Sequence, residues 1–515
     1  MINSISQKLW LFISLIVASS TMGQGTLTLV DGARINVLSG SGLVLQNLNI
    51  SPGSTLSNRG ELTVSGGLAN NAGTPGLLLL SDADGYGSLI HNTPMVAATV
   101  QQYLSSERWH LVTSPVITTD IQPYFDIYLK EWSETEQQWT YLVQPVTQPM
   151  NPLQGYSVWA SDDLTGETTV VFEGELFSGN STFNSLTFTQ ETEKEGFNLV
   201  GNPYPSPIEW NLDWTLQNVG GWAMVYDNGV FKGWNPWLPE GFQSYNGKSD
   251  GMIAPSQGFW VRTTGNNPQM IAPQSARIHH LQPFLKTVVE NDIKHVMLRA
   301  SANGHTDESG ILFLPEATTG FDALYELDKL MNVAEAPNLY SLGPGNRPLA
   351  VNTLPEDWIE TSGIPVIPIA YLPGSTTGCS ITVLGLESLD PDTPVFLEDL
   401  KEEVTVNLRM EPNYDFVVSA DDDPARFLLY FSQPAGIDQL SEPGIEIYSS
   451  GNLVRIGVPA GVTGVASVYN LFGVRVAEFK LTGELTEKAL PGDCYYIVTV
   501  YTGSRFAVQK VFIMD

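Results

Sequence analysis

The stretches "WHLVTSP" (109–115) and "GFNLVGNPYPSPIEW" (196–210) share one pattern: an aromatic residue, then Leu and Val, then Pro three positions on. Leu111 aligns with Leu199, Val112 with Val200 and Pro115 with Pro203 at an offset of 88 residues. Further along, "QGYSV" (154–158) matches "QGFWV" (257–261) at an offset of 103. Two matches in the same order predict a duplicated β unit over residues 96–290, with 15 more residues inside the second copy. The prolines at 203, 205 and 207 push Asn202, Tyr204 and Ser206 toward extended backbone, so the strand "FNLVG" leaves through a stiff spacer. Ser206, Pro207 and Glu209 then read as a capping box opening a short helix through "IEWNLDW".

Working outward, 515 residues suffice for three or four domains of about 150 residues. Gly at 47 and Pro at 33, with frequent Thr, Val, Tyr and Trp, favour strands and turns, so the expected class is all-β. Residues 24–95 carry short apolar alternations broken by Gly, Asn and Ser, which suit a short β-solenoid or a meander. A solenoid would need its end covered by the following domain. Residues 96–290 form the duplicated, sandwich-like domain. Residues 291–435 contain strands such as "HVMLRAS", "GILFLP" and "FLLYF", with one helical turn around "GFDALYELDKLMN", a pattern of jelly-roll type. The Pro- and Gly-rich 431–444 reads as a linker to a small Ig-like β-sandwich, 436–515, that ends in the hairpin "CYYIVTVY", "TGS", "RFAVQKVFIM".

The formal charge is −31, of which −28 falls within residues 96–435, so phosphate backbones and anionic membranes are repelled and nucleic acid is not an expected partner. Residues 1–23 have one cation, Lys8, an apolar run from Leu9 to Ala18 and small or polar residues up to Gly23, the layout of a secretory signal peptide. No later run reaches the length of a transmembrane helix. Cys379 and Cys494, the two cysteines, fall in different expected domains and read as separate thiols.

Residues 468–476, "VYNLFGVRV", and 490–500, "LPGDCYYIVTV", with Lys510 and the terminal "VFIMD", resemble the C-terminal sorting domain of proteins exported by the type IX secretion system. Gly473, Gly492, Tyr495 and Lys510 are the motif positions. The usual "YPNP" opening is absent, and "GDCYY" spaces its Gly and Tyr differently from the family. Segments of 96–435, among them "GFNLVGNPYPSPIEW" and "DESGILFLPEATTGFDALYELDKL", are similar to large surface proteins carried by the same system. The resemblance implies the type IX machinery as partner, removal of the sorting domain on export, and a mature chain released or attached to the outer cell surface. It supplies no catalytic residues.

"GKSDG" (247–251) fits the G-x-S-x-G pattern, but a nucleophile elbow needs a strand before Ser249 and a helix after it, and turn-rich sequence surrounds it. The histidines, His91, His110, His279, His280, His295 and His305, show no zinc spacing. Asp82 and Asp84 before Gly85 form a fragment of a calcium loop without its bidentate Glu, so calcium is the one cofactor considered and a solvated turn the preferred reading. Ten of the twelve tryptophans lie between Trp109 and Trp260; most belong to the core, and Trp234 and Trp237, in a Gly/Pro-rich insertion, are the candidate ligand-binding aromatics. The expectation is a non-catalytic, secreted or surface-displayed adhesion protein that binds a glycan or a matrix protein. Its rivals are a structural surface-layer component and a secreted polysaccharide hydrolase.

Overall fold

The structure, a computed structural model, describes residues 25–513 apart from 125–126, 143–147, 161–167, 191–194, 228, 249, 280–292, 363–364, 375–377, 420–421, 433–444, 471–473, 492–493 and 503–505. The expected signal peptide and most of the expected linker thus lie outside the described residues, as do Ser249, His280, Gly473 and Gly492. The fold is all-β. It forms two compact units, Met1–Val289 and Glu290–Asp515.

The first unit begins as a three-faced parallel β-solenoid. Thr26–Leu29 pairs in parallel with Asn47–Ile50, and that strand with Leu68–Asn70. Arg34–Val37 pairs with Thr55–Asn58, then Leu77–Leu79. Gly42–Leu45 pairs with Glu61–Val64, then Ser88–His91. Each rung stacks Leu, Ile or Val on its neighbour, so a row of four-residue strands, too short to be stable singly, shares one buried column. On the third face the column Leu45, Val64 continues into His91, which is 1% exposed.

The two segments that opened the sequence analysis have equivalent pairings. In the first copy Leu111 faces Ser157 and Val112 faces Tyr156; in the second Leu199 faces Trp260 and Val200 faces Phe259, the same register once the two offsets are applied. The copies also touch reciprocally. Val112 bridges to Gln257 as Val200 bridges to Gln154, and Thr113 N–H donates to Ser256 O (2.9 Å) as Gly201 N–H donates to Leu153 O (3.2 Å). At this crossing only glycine fits. A Cβ on Gly155 would lie 2.6 Å from Leu199 Cγ and Val200 O, and one on Gly258 would lie 2.9 Å from Val112 N.

The expected helix after Ser206 does not form. Ile208–Glu209 is instead a short strand paired with Met252–Ile253, and Trp210, fully buried, donates from Nε1 to Gly221 O at 2.7 Å. Burial of Ile208 and Trp210 two residues apart has the period of a strand, and these long-range partners outweigh a local cap. The hub of the corner is Asn202, wholly buried. Its side-chain amide donates to Ser206 O, Ile253 O and Ala254 O at 2.9–3.2 Å, and its Oδ1 accepts from Tyr204 N–H. The proline spacer then crosses the end of the solenoid. Pro205 O accepts from Leu89 N–H at 2.7 Å, Arg277 donates to His91 O (2.5 Å) and Asn92 Oδ1 (2.6 Å), and His279 bonds Ser88 Oγ and Thr63 Oγ1. The terminal rung is therefore covered by this domain.

In the second unit one continuous sheet runs through Val404–Asn407, Phe396–Asp399, Phe427–Tyr430, Val366–Leu372, Asn338–Gly343, Arg347–Pro355, His305–Leu314, His295–Ala302, Gly378–Leu384 and Asn413–Val417. It curls until its ends meet: Tyr414 on the last strand donates to Asp399 Oδ2 at 2.8 Å, and Arg426 bonds both Asp399 oxygens and Val417 O. The helical turn expected around 320–332 is a single turn in which Tyr325 and Glu326 N–H both reach Asp322 O, followed by the short strand Leu327–Asp328. The last residues form a two-sheet antiparallel sandwich that closes with the hairpin of Cys494–Tyr501 and Phe506–Ile513. Both cysteines are free. Among the described residues no helix is long and apolar enough to cross a membrane.

Candidate functional site

Cross-strand partners in an antiparallel sheet share a face, so register decides which side chains meet. In the four-stranded sheet of the first copy, Trp109 of Arg108–Val112 faces Trp159 of Tyr156–Ala160, and Trp159 faces Tyr128 of Tyr128–Ser133. One row further on, Lys130 faces Ser157 on one side and Tyr141 on the other; Trp132 faces Trp139 in the row beyond. Six aromatic side chains and one lysine thus occupy a single face.

The two ends of this face differ. At one, Trp132 is 8% exposed, its Nε1 donates to Phe197 O at 2.7 Å, and both Trp132 and Trp139 meet Trp260 of the second copy edge-on at 5.7 and 5.8 Å. At the other, Tyr128 and Tyr141 are 65% and 54% exposed. Trp109 and Trp159 lie edge to face at 5.6 Å. Lys130 Nζ sits 3.7 Å from the Trp109 ring centroid and 4.6 Å from that of Trp139, a cation held between two indole faces. Burial among those rings pushes its pKa down. No carboxylate is among the residues that the register places on this face; Glu131 points to the other side, toward Gln148 and Gln154. In a chain of charge −31 this is a local, uncharged to cationic platform. Such a surface stacks flat apolar rings and donates hydrogen bonds from Lys130 and the tyrosine hydroxyls.

A cleft of ≈ 220 Å³ in the same unit is walled by Tyr86, Tyr103, His110, Tyr226, Ser256 and Gln257. Ser256 has φ 58°, rare for a residue with a Cβ, and its carbonyl accepts from Gln102 Nε2 at 3.0 Å. Burial pushes the Tyr86 hydroxyl up to about 12 and lowers the His110 imidazole. These walls are polar and neutral.

The structure does not bring the sequence-derived candidates to the aromatic face. Trp234 ends the strand Val230–Trp234 of another sheet and Trp237 lies in the turn beyond; both are half-buried against the core of the second copy, Trp237 meeting Trp210 edge-on at 6.0 Å. Asp82 is engaged by Arg59 and by the N–H of Asp84 (3.0 Å), and among the described residues no group of three or more His, Cys, Asp or Glu is placed to hold a metal ion. Of the positions expected for a sorting motif, Tyr495 and Lys510 are described. Lys510 Nζ lies 5.1 Å from the Tyr495 ring centroid and forms an ion pair with Glu398, whose other oxygen accepts from Tyr430 OH at 2.7 Å. What the sequence reading missed is the alternation of Tyr128, Lys130 and Trp132, and of Trp139 and Tyr141. That period of two is visible in "YLKEWS" and "QWTYL", but their pairing is not.

No protein-family model matches this chain, and no curated protein matches it. Solved structures similar to it include dimeric latent PorU from Porphyromonas gingivalis, at 10% identity over 84% of this chain and 31% of that one. Another is the BSP domain of a biofilm-associated protein, at 8% identity over 85% of this chain and 94% of that one. The TM-score is 0.12 for both, a likeness that carries no argument. The chain spans about a third of the length of latent PorU.

Proposed function

We propose that this is a secreted or cell-surface adhesion protein, without catalysis, that binds a glycan on the aromatic face around Lys130. The observation that carries the reading is the convergence of Trp109, Trp159, Tyr128 and Tyr141 on one open face, with Lys130 clamped between indoles. Large aromatics left open at the surface are costly for a soluble chain unless something covers them. A pyranose offers both an apolar C–H face for the rings and hydroxyls for Lys130 and the tyrosines. In this proposal residues 1–23 direct export across the inner membrane and 436–515 engage the type IX machinery, as the sequence resemblance implies.

The test is binding of the purified full chain to a glycan array, with and without calcium, alongside Tyr128→Ala and Trp159→Ala variants with unchanged circular dichroism. Selective binding lost in both variants supports the reading. Binding that survives both removes the aromatic face from it. A folded wild type that binds nothing moves the reading to a structural surface component.

A further inference from the structure

We propose that Lys329 and Asp307 join in an intramolecular amide cross-link inside the second unit. Asp307 lies on His305–Leu314, where Asp307, Ser309, Ile311 and Phe313 alternate into the interior of the curled sheet and are all buried. Lys329 follows the short strand Leu327–Asp328, and its own N–H is fixed to Pro348 O at 3.0 Å. The Lys329 and Asp307 side chains are both 0% exposed, with Nζ 2.5 Å from Oδ2. The N–H of Leu339 donates to the same Oδ2 at 2.6 Å.

Such a site favours condensation for three reasons. Burial holds the amine against the carboxyl with both side chains cut off from solvent, where a charged pair is costly to keep. Burial lowers the Lys329 pKa, which favours the nucleophilic amine. The Leu339 N–H is a fixed donor for the oxygen that becomes negative when nitrogen attacks Asp307 Cγ.

The step balances without any co-reactant. The Lys329 Nζ–Cγ bond of Asp307 forms and the Cγ–Oδ1 bond breaks. Of the three ammonium protons, two leave with Oδ1 as water and one remains on the amide nitrogen, while Oδ2 stays as the amide carbonyl. A second buried ion pair among the described residues of this unit, Arg426 with Asp399, cannot follow the same route, because guanidinium keeps its proton. Lys510 with Glu398 is partly open to solvent. The cross-link would close a chain separation of 22 residues and pin the long excursion after Leu314 to the core.

Intact-mass spectrometry of the purified full chain, followed by peptide mapping, tests this. The expected result is a mass lower than the sequence requires by one water, with Asp307 and Lys329 recovered in one branched peptide. Lys329→Arg and Asp307→Ala should each restore the unmodified mass. Recovery of the two residues in separate linear peptides of the wild type overturns the proposal, as does a water loss that maps elsewhere. The wild-type map alone decides the matter if either variant fails to fold.

Discussion

Gly155 and Gly258 occupy reciprocal positions, each pressed on the Leu-Val strand of the other copy: Gly155 on Leu199 and Val200, Gly258 on Leu111 and Val112. The repeated "QG" therefore has a steric cause, since the two copies cross where no side chain fits.

Gly155→Ala places a methyl 2.6 Å from a backbone oxygen, which cannot yield as a flexible side chain would. We expect a loss of about 1–3 kcal/mol in urea unfolding, with Gly258→Ala in the same range. The double variant should fall short of the sum, because both methyls force apart the same crossing.

Asn202→Ala removes three donated hydrogen bonds and one accepted bond at a wholly buried corner. The expected cost is roughly 3 kcal/mol or more. Thermal unfolding of the variant checks it, and Asn202→Asp should not rescue, since a carboxylate cannot donate to those carbonyls.

Acid should loosen the covered end of the solenoid. Burial, then the neighbouring Arg277, lowers the His91 pKa from 6.5 to about 4, and burial lowers His279 to about 4. Both are held neutral in the folded chain and protonate more readily unfolded. Their contribution is complete above pH 6.5 and is lost as pH falls toward 4, up to roughly 3 kcal/mol for each. Urea midpoints measured from pH 7 to 4.5 should fall less steeply in His91→Leu, which continues the aliphatic column of Leu45 and Val64.

In the second unit Lys510→Ala should release the final hairpin from the curled sheet. Lys510 and Tyr430 share Glu398, beside an apolar contact of Ile497 with Val366, Leu428 and Tyr430. We expect a loss of roughly 1–2 kcal/mol and faster proteolysis within 445–513, read by mass spectrometry of the fragments.

Aromatic residues of the first unit should separate by role. Trp237→Ala should destabilise by a few kcal/mol, because its ring fills space beside Trp210. Tyr128→Ala should leave stability within about 0.5 kcal/mol, because that ring is largely in water. Equal losses would contradict the division between core and open face.

Several features were legible in the chain itself. Strand content, the repeat and the final hairpin follow from alternation, turn residues and self-similarity, which are local properties. The corner after Asn202 was not legible as drawn: the capping signal at Ser206 was overruled by strand pairing with Met252–Ile253 and by burial of Trp210. Tertiary structure alone decided which of ten tryptophans face water, since composition marks aromatics without their register, and register set Tyr128 beside Trp159 and Lys130 beside Tyr141. It alone also brought Lys329 to Asp307, because a lysine and an aspartate 22 residues apart meet only when the sheet between them curls shut around both.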